Sequence, residues 1–294
     1  MARIAESELV INPDGSVYHL NLRPEEIATN IITVGDPDRV SMVSKYFDEV
    51  EVRKAKREFV SHTGRIGQKR LTVLSTGIGP DNIDIAINEI DALANIDFES
   101  RKAKEQLISM NFVRIGTSGS LHPEVPVDSF VAGAYGLGLD NLLSFYDYKP
   151  NLGEAALEDE LKEFMEYAGK VPFYACEGSP ALLSELGQDK FQGITITSPG
   201  FYAPQGRELR ARARYGVGYF KSLAQFKFRD YSIMNFEMET SAIYGLSRLL
   251  GHRALSTNAI IANRPNGAFS KDPYKAVDKL IQNVLSLISS SPLF

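Results

Sequence analysis

The sequence predicts an α/β fold: a single three-layer α/β/α domain, residues 1–294, built around a central mixed β-sheet. Apolar segments of strand length alternate with amphipathic segments of helical spacing, and small-residue turns separate them. No linker, repeat or low-complexity segment interrupts this alternation. With 294 residues, of which 44% are hydrophobic, the chain is long enough to bury a sizeable core.

The first elements establish the alternation. Residues 30–35, NIITVG, have the apolar run of a buried strand. Asp36 and Pro37 predict that a helix begins there, because aspartate is a favoured N-cap and proline is favoured at the first helical position. The short alternating stretches of residues 49–77 predict a meander of strands, and residues 81–96 carry apolar side chains at helical spacing.

The remaining elements continue the pattern. The charged stretch 97–110 predicts a helix whose charges face solvent, and residues 111–119, NFVRIGTSG, predict a strand followed by a glycine turn. Further strands are predicted at residues 127–133, 171–176, 191–198, 231–238 and 253–263. Further helices are predicted at residues 157–168, 179–186, 239–250 and 272–289. Because ligands bind beyond the carboxyl ends of strands in such sheets, functional side chains are expected in the turns that follow them.

Charge and composition exclude several classes of partner. The 32 basic and 37 acidic residues give a net charge of -5, so neither nucleic acid nor an anionic membrane is a predicted partner. No stretch approaches the roughly 18 apolar residues of a membrane helix, and the single cysteine, Cys176, suits a reducing compartment. The four histidines lack metal-ligand spacing. We therefore expect a soluble cytoplasmic protein without a bound transition metal.

Three arginines stand beside predicted turns: Arg39, Arg57 and Arg114. An arginine inside an apolar strand, as Arg114 is, is costly to bury alone, so either a bound anion or an acidic side chain is expected beside it. Backbone N–H groups after Gly35, with the hydroxyl and N–H groups around Thr117, would complete a phosphate-sized pocket. The alternative is that Arg39 and Arg57 are ordinary surface charges and that Arg114 forms an internal ion pair.

Two acids lie where a strand passes into a helix, in MNFEMETSAIYGL. Glu237 and Glu239 point to the same side of an extended segment, because side chains alternate with period two. The two oxygens of a carboxylate at the start of a helix match a cis diol, which offers two O–H donors. The alternative is that Glu239 only caps the helix.

The loop 198–209, SPGFYAPQGREL, places Phe201, Gln205 and Arg207 together. An amide matches the N–C=O edge of a nucleobase, and an aromatic ring could cover the flat face of that base. Arg264 follows the strand 253–263 and so lies at a strand's carboxyl end. The alternative is a solvated loop with incidental polar residues.

Eight motifs in this order resemble the nucleoside phosphorylase family, and within it the branch that cleaves uridine. They are VYHLNL, TVGDPDRV, KREF, STGIG, RIGTSG, FYAPQGRE, NFEMET and IIANR, and they span residues 17 to 264. The resemblance implies a pentosyltransferase that carries out reversible phosphorolysis of uridine or deoxyuridine to uracil and the sugar 1-phosphate, in pyrimidine salvage. Inorganic phosphate would be a co-substrate, and no cofactor is implied. Purine-cleaving relatives typically carry an aspartate near this strand end, where the chain has Asn263 and Arg264, which favours a pyrimidine.

The resemblance also implies roles for individual residues. Phosphate would be held by Gly35, Arg39, Arg114 and Thr117, with Arg57 from a neighbouring subunit. Ribose would be held by Met238 and Glu239, with His19 donated across a dimer interface to the 5′-hydroxyl. Uracil would be held by Phe201, Gln205 and Arg207, with Arg264 supporting the loop. The residues implied to act in catalysis are Arg207, Gln205, Arg114 and Glu239. A homodimer or a higher assembly of dimers follows from the shared sites.

The chain departs from the family in three places. GIGPDN replaces the small-residue run that helps to form a monovalent-cation site with Glu58 in bacterial members, so a potassium ion is not predicted. Residues 97–110 and 135–157 diverge and are expected to affect dimer assembly.

Three rival functions remain: a purine nucleoside phosphorylase of the same fold, a nucleosidase that uses water, and a non-catalytic nucleoside-binding protein.

Overall fold

A computed structural model describes residues 3–165 and 171–294 of the chain. The strands are β1 Asn30–Val34, β2 Glu49–Lys56, β3 Phe59–Ile66, β4 Lys69–Ser75, β5 Ile96–Asp97, β6 Lys102–Ala103, β7 Asn111–Ser120, β8 Phe130–Gly138, β9 Tyr174–Glu177, β10 Phe191–Thr197, β11 Lys227–Phe228, β12 Tyr231–Glu237, β13 Arg253–Asn263 and β14 Ala268–Phe269. The helices are α1 Pro37–Ser44, α2 Pro80–Asn95, α3 Leu152–Phe164, α4 Pro180–Leu186, α5 Gly216–Leu223, α6 Thr240–Leu249 and α7 Pro273–Ser290.

The predicted α/β class with a mixed sheet is confirmed. Twelve strands form one sheet in the order β11-β12-β10-β8-β13-β7-β1-β4-β3-β2, with β9 paired to β8 and β14 to β13. Strands β4, β1, β7 and β13 run parallel, whereas β8 joins β13 antiparallel. Strand β12 also pairs with the end of β7, where Phe236 lies opposite Gly119. This pairing closes β7, β13, β8, β10 and β12 into a ring and brings the end of β12 beside that of β7.

Helices cover both faces of the sheet, so its central strands are apolar on both sides. On β1, Ile31 packs in a cluster with side chains of α2 and α6, whereas its neighbour Ile32 packs with α1, α4 and α7. Phe112 and Val113 on β7 divide between the two clusters in the same way. A third cluster joins α3 and α5 to the other half of the sheet. None of the described helices is both long enough and apolar enough to cross a membrane.

Local capping explains where the helices begin. The carboxylate of Asp36 accepts a hydrogen bond of 2.9 Å from the backbone N–H of Asp38, with Pro37 at the first helical position, as predicted. Helix α3 begins at Leu152 rather than at residue 157, because Asn151 and Glu154 form a capping box that the hydrophobic pattern does not reveal. The predicted end of that helix, residues 166–168, lies outside the described residues.

The predicted helix at 97–110 is wrong. The segment forms the short pair β5–β6, and Arg101 in the turn between them has a left-handed φ of 56°, which a helix does not allow. Its side chain is buried rather than solvated, and it donates hydrogen bonds to the backbone oxygens of Ile4 and Ala5 at 3.1 and 3.2 Å. The segment therefore anchors the N-terminal residues. The strand predicted at 127–133 is displaced to β8, and α5 was not predicted.

Candidate active site

A cavity of about 940 Å³ opens beyond the carboxyl ends of β1, β7, β12 and β13. The structure brings most of the predicted site residues to its wall: Gly35, Arg39, Arg114, Thr117, Phe201, Gln205, Arg207, Met238 and Glu239. It places His19, Arg57 and Arg264 outside the lining. The cavity lies where the sequence predicts the site, beyond the strand ends.

Arg114 forms the buried centre of one end of the cavity. Its side chain projects from β7, and the residue is 6% exposed. One terminal nitrogen donates a hydrogen bond of 2.6 Å to Oδ1 of Asn258, and the other contacts the carboxylate of Glu239 and lies 3.3 Å from Oε2 of Glu237. Burial would lower the pKa of Arg114, but the two carboxylates outweigh it and raise that pKa. The internal ion pair, which the sequence left open as the alternative to a bound anion, is present, and Arg114 also lines the cavity.

Gly116 explains how this arginine fits. A Cβ atom at residue 116 would lie 1.8 Å from Nη1 and 2.4 Å from Cζ of Arg114. The guanidinium thus folds over the strand two residues along and occupies the space of the missing side chain. The motif RIG therefore has a steric reason, because any side chain at position 116 would displace the arginine.

The two glutamates divide their work. The carboxylate of Glu237 accepts hydrogen bonds from the backbone N–H of Glu239 at 2.8 Å and of Thr240 at 3.0 Å, and from the hydroxyl of Thr197 at 2.9 Å. Glu237, not Glu239, therefore caps α6, so the alternative that Glu239 only caps the helix is wrong. Oε1 of Glu239 instead accepts from the backbone N–H of Gly79 at 2.9 Å. Burial raises the pKa of Glu237, and so does Glu239, while Arg114 opposes the rise.

A second guanidinium stands at the same end. Nη1 of Arg39 lies 3.4 Å from the backbone oxygen of Ile115, in the strand that carries Arg114. Burial lowers the pKa of Arg39, and the positive charge of Arg114 lowers it further. Because the two guanidinium groups repel each other, an anion bound between them would be stabilised by both positive charges. Gly35 and Thr117 line the same wall of the cavity.

The other end of the cavity is built from the loop 198–209. The Cζ atom of Arg207 lies 3.8 Å from the ring centroid of Phe201, and Nη1 donates to the backbone oxygen of Phe201 at 2.7 Å and to Oε1 of Gln205. Gln205 is 2% exposed, whereas Phe201 is 52% exposed. Arg264 donates a hydrogen bond of 3.2 Å to the backbone oxygen of Gln205 from outside the cavity. Burial, followed by the charge of Arg264, lowers the pKa of Arg207 to about 10.

His19 and Arg57 lie together on the surface. The Nδ1 atom of His19 is 2.6 Å from Oε1 of Glu89, and the His19 ring packs edge-on against Tyr18. The Cζ atom of Arg57 lies 5.9 Å from the centroid of the same Tyr18 ring. Two neighbouring residues of the hairpin loop between β2 and β3 differ in environment: Arg57 is exposed, whereas Glu58 lines the cavity. Donation of His19 and Arg57 to a neighbouring subunit stays a prediction.

Asn263 is turned away from the cavity. It is buried, and its Nδ2 donates to the backbone oxygens of His122 and Val125, both at 2.8 Å. The acidic residues that line the cavity are Asp36, Glu58, Glu237 and Glu239. None of them belongs to the loop 198–209 or to β13, so the described residues place no proton-donating acid at the loop end.

Sequence reasoning missed two residues of the site. Asn258 binds Arg114, and the polar run Ser-Thr-Asn inside the apolar strand RALSTNAIIAN is the signal that could have found it. Phe236 lies beneath both loop-end arginines, with its ring centroid 5.5 Å from Cζ of Arg207 and of Arg264. Its position immediately before Glu237 in NFEMET was the available signal.

One cavity thus has two ends: an anion end lined by Arg39 and Arg114, and a loop end lined by Phe201, Gln205 and Arg207. The chain belongs to the phosphorylase superfamily, whose family model matches residues 29–289. The predicted enzyme class, a pentosyltransferase of the nucleoside phosphorylase type, is confirmed.

Named relatives include both pyrimidine and purine enzymes. A uridine phosphorylase of Thermococcus kodakarensis is 29% identical over 88% of this chain and 81% of its own. A purine nucleoside phosphorylase of the DeoD type from Bacillus cereus is 28% identical over 81% of this chain and 83% of its own. A crystal structure of a Trypanosoma brucei nucleoside phosphorylase, described as showing uridine phosphorylase activity, matches with a TM-score of 0.87 and 28% identity over 96% of this chain and 100% of its own.

Proposed function

We propose that this enzyme is a uridine phosphorylase, which converts uridine and phosphate reversibly to uracil and ribose 1-phosphate. The observation that carries the proposal is the loop end of the cavity, where Gln205 and Arg207 meet beside Phe201 and where, among the described residues, no acidic side chain of the loop or of β13 lines the cavity. An amide and a guanidinium match the oxygens and N–H of a pyrimidine, whereas protonation of a purine would require an acid. The uridine phosphorylases of T. kodakarensis and T. brucei support the proposal.

The chemistry needs no covalent intermediate with the protein. The C1′–N bond breaks through a transition state with oxocarbenium character, its electron pair passes to the base, and a phosphate oxygen bonds to C1′. Arg39 and Arg114, with Gly35 and Thr117, would hold the phosphate beside C1′. Arg207 and Gln205 would stabilise the negative charge that grows on uracil.

The ribose would lie between the two ends. Contacts with Arg114 and with the backbone N–H of Gly79 hold Glu239 in place. Its carboxylate would accept hydrogen bonds from the hydroxyl groups of the sugar, which would lie beside Met238. Phosphate serves as co-substrate in this proposal, and no cofactor takes part. We place the reaction in cytoplasmic pyrimidine salvage by a single-domain chain that binds neither nucleic acid nor membrane.

The active form would be a homodimer or an assembly of dimers, because His19 and Arg57 lie outside the cavity of their own chain. Subunits carrying Arg57→Ala and subunits carrying Arg114→Met should each be nearly inactive alone. When the two are refolded together, mixed dimers should recover activity, since one of their two sites then has every residue intact. Absence of recovery in mixtures that do form mixed dimers would refute the shared site.

A phosphate-dependent assay on four nucleosides tests the function. Uridine should be cleaved fastest, with deoxyuridine and thymidine as further candidates, and inosine should be cleaved slowly or not at all. Cleavage should stop when phosphate is removed, and ribose 1-phosphate should appear in equal amount to uracil. Base release that does not depend on phosphate would identify a nucleosidase, and preference for inosine would identify a purine enzyme. Tight nucleoside binding without turnover would identify a binding protein.

A further inference from the structure

A buried asparagine adjoins the arginine at the anion end of the cavity. Asn258 is 0% exposed, and its Oδ1 accepts the 2.6 Å hydrogen bond from Nη1 of Arg114. Its Nδ2 donates to Oγ of Ser256 at 3.2 Å. A buried amide is costly unless both of its ends are paired, so these two partners fix the orientation of Asn258.

The register of β13 against β7 explains this contact. Ser256 pairs with Arg114, and Asn258 pairs with Gly116. Residues two positions apart in a strand share a face, so all four positions lie on the same face of the sheet. Because Gly116 has no side chain, the guanidinium of Arg114 reaches along β7 to the asparagine opposite the glycine.

The contacts of Asn258 continue to the start of α6 and close into a ring. Oγ1 of Thr240 donates to Oγ of Ser256 at 2.8 Å. Thr240 follows Glu239, which contacts the second terminal nitrogen of Arg114. Each terminal nitrogen of the guanidinium is therefore held by a different element, one by β13 and the other by the entry to α6.

We propose that Asn258 is a positioning residue for phosphate, which keeps the guanidinium of Arg114 at the cavity wall. The inference rests on the proposed function, since it assigns the anion as the phosphate of that reaction. The neutral amide matters because Glu237 and Glu239 already stand beside Arg114. A third carboxylate at position 258 would hold the arginine equally well but would repel a phosphate dianion.

Inorganic phosphate binding to the full chain, measured by calorimetry, tests the proposal directly. Asn258→Ala should raise the Kd of phosphate about tenfold, because one of the two terminal nitrogens of the guanidinium loses its partner. Asn258→Asp keeps the shape of the side chain but adds a negative charge. It should raise the Kd of phosphate about a hundredfold relative to the wild type, more than Asn258→Ala does. The KM of uridine should change by no more than about twofold in Asn258→Ala, a split that a general loss of packing would not produce.

Asn111 supplies the matched control at the opposite end of β7. It is buried too, and its Oδ1 accepts a hydrogen bond of 2.8 Å from Nε of Arg253. Asn111→Ala should lower the melting temperature comparably to Asn258→Ala but leave the Kd of phosphate unchanged. If Asn258→Ala fails to fold, the comparison rests on Asn258→Asp.

The outcomes separate the two proposals. Wild-type protein that neither binds phosphate nor requires it for uridine cleavage would overturn the proposed function, and the positioning role with it. Wild-type protein that requires phosphate, together with Asn258 variants whose Kd for phosphate is normal, would overturn only the positioning role. The same holds if Asn111→Ala weakens phosphate binding as much as Asn258→Ala does.

Discussion

The two ends of the cavity are built in different ways. At the anion end, Arg114, Asn258 and Glu239 lie in strands or at a helix entry, all three are buried, and both Asn258 and Glu239 contact the guanidinium of Arg114. At the loop end, Arg207 packs on Phe201, which is more than half exposed. The anion end is therefore part of the core, and its chemistry is coupled to folding. In the proposed function, the loop end would recognise the base with a segment most of whose side chains are exposed.

Removal of Arg114 should have the largest effect on both activity and stability. Arg114→Met should lower kcat/KM for phosphate on the order of 10³-fold. It should also lower the free energy of unfolding by about 3–5 kcal/mol, because two buried carboxylates lose their shared cation. Steady-state kinetics and urea unfolding measure the two effects. Adding Glu239→Gln should restore part of the stability but none of the activity, and an unchanged unfolding free energy in Arg114→Met would contradict the coupling.

Arg207 supplies the opposite case. Arg207→Ala should lower kcat on the order of 10²-fold while the free energy of unfolding falls by only about 1 kcal/mol, because the buried Oε1 of Gln205 loses its donor but no buried charge is left unpaired. In the proposed reaction this arginine would stabilise charge on the departing base, so the loss should be smaller for 5-fluorouridine, whose base leaves more readily. An equal loss for both nucleosides would remove the assigned role.

Asn263 tests whether the loop end can be converted to a purine site by one substitution. Asn263→Asp removes the amide donor that serves two backbone oxygens, so the free energy of unfolding should fall by about 2 kcal/mol. Inosine cleavage should not appear, since this side chain points away from the cavity. Thermal unfolding and an inosine assay measure the two results, and a gain of inosine cleavage would show that the residue reaches the base.

Glu237 gives a predicted effect that appears only as a dependence on pH. Because the pKa of Glu237 is raised in the folded protein, the unfolded chain releases this proton first, from about its ordinary pKa of 4.5 upward. Wild-type protein should therefore lose stability relative to Glu237→Gln as pH rises above 4.5, by at most about 1.4 kcal/mol per pH unit. The difference should become constant above the folded-state pKa. Urea unfolding of both proteins between pH 5 and pH 8 measures this, and a difference independent of pH would count against the raised pKa.

The sequence predicted what depends on local pattern. Strand β1, helix α1 and the meander of β2 to β4 follow from apolar periodicity and an Asp-Pro helix start, and their bounds differ little from those predicted. The helix prediction for residues 97–110 failed because the buried contacts of Arg101 with the N-terminal segment are long-range. Helical periodicity carries no information about such contacts.

The site shows the same division. The motifs and the family resemblance named most of the residues that line the cavity, but they did not distinguish the carboxylate that caps α6 from the one that faces Arg114. That distinction depends on which backbone N–H groups point at which oxygens. The contact of Asn258 with Arg114 depends on the register of two strands that are distant in sequence. A single sequence does not specify that register.

Strand β2 ends the sheet at one side, and its outer edge has no partner strand among the described residues. Five of the eight residues in its sequence, EVEVRKAK, are charged. Charged edge strands resist the addition of a foreign strand, because pairing would force like charges together and strip them of water. If subunits meet near the β2–β3 hairpin, side chains would thus join them. The charged edge disfavours a continuous intermolecular sheet and the aggregation that follows from one.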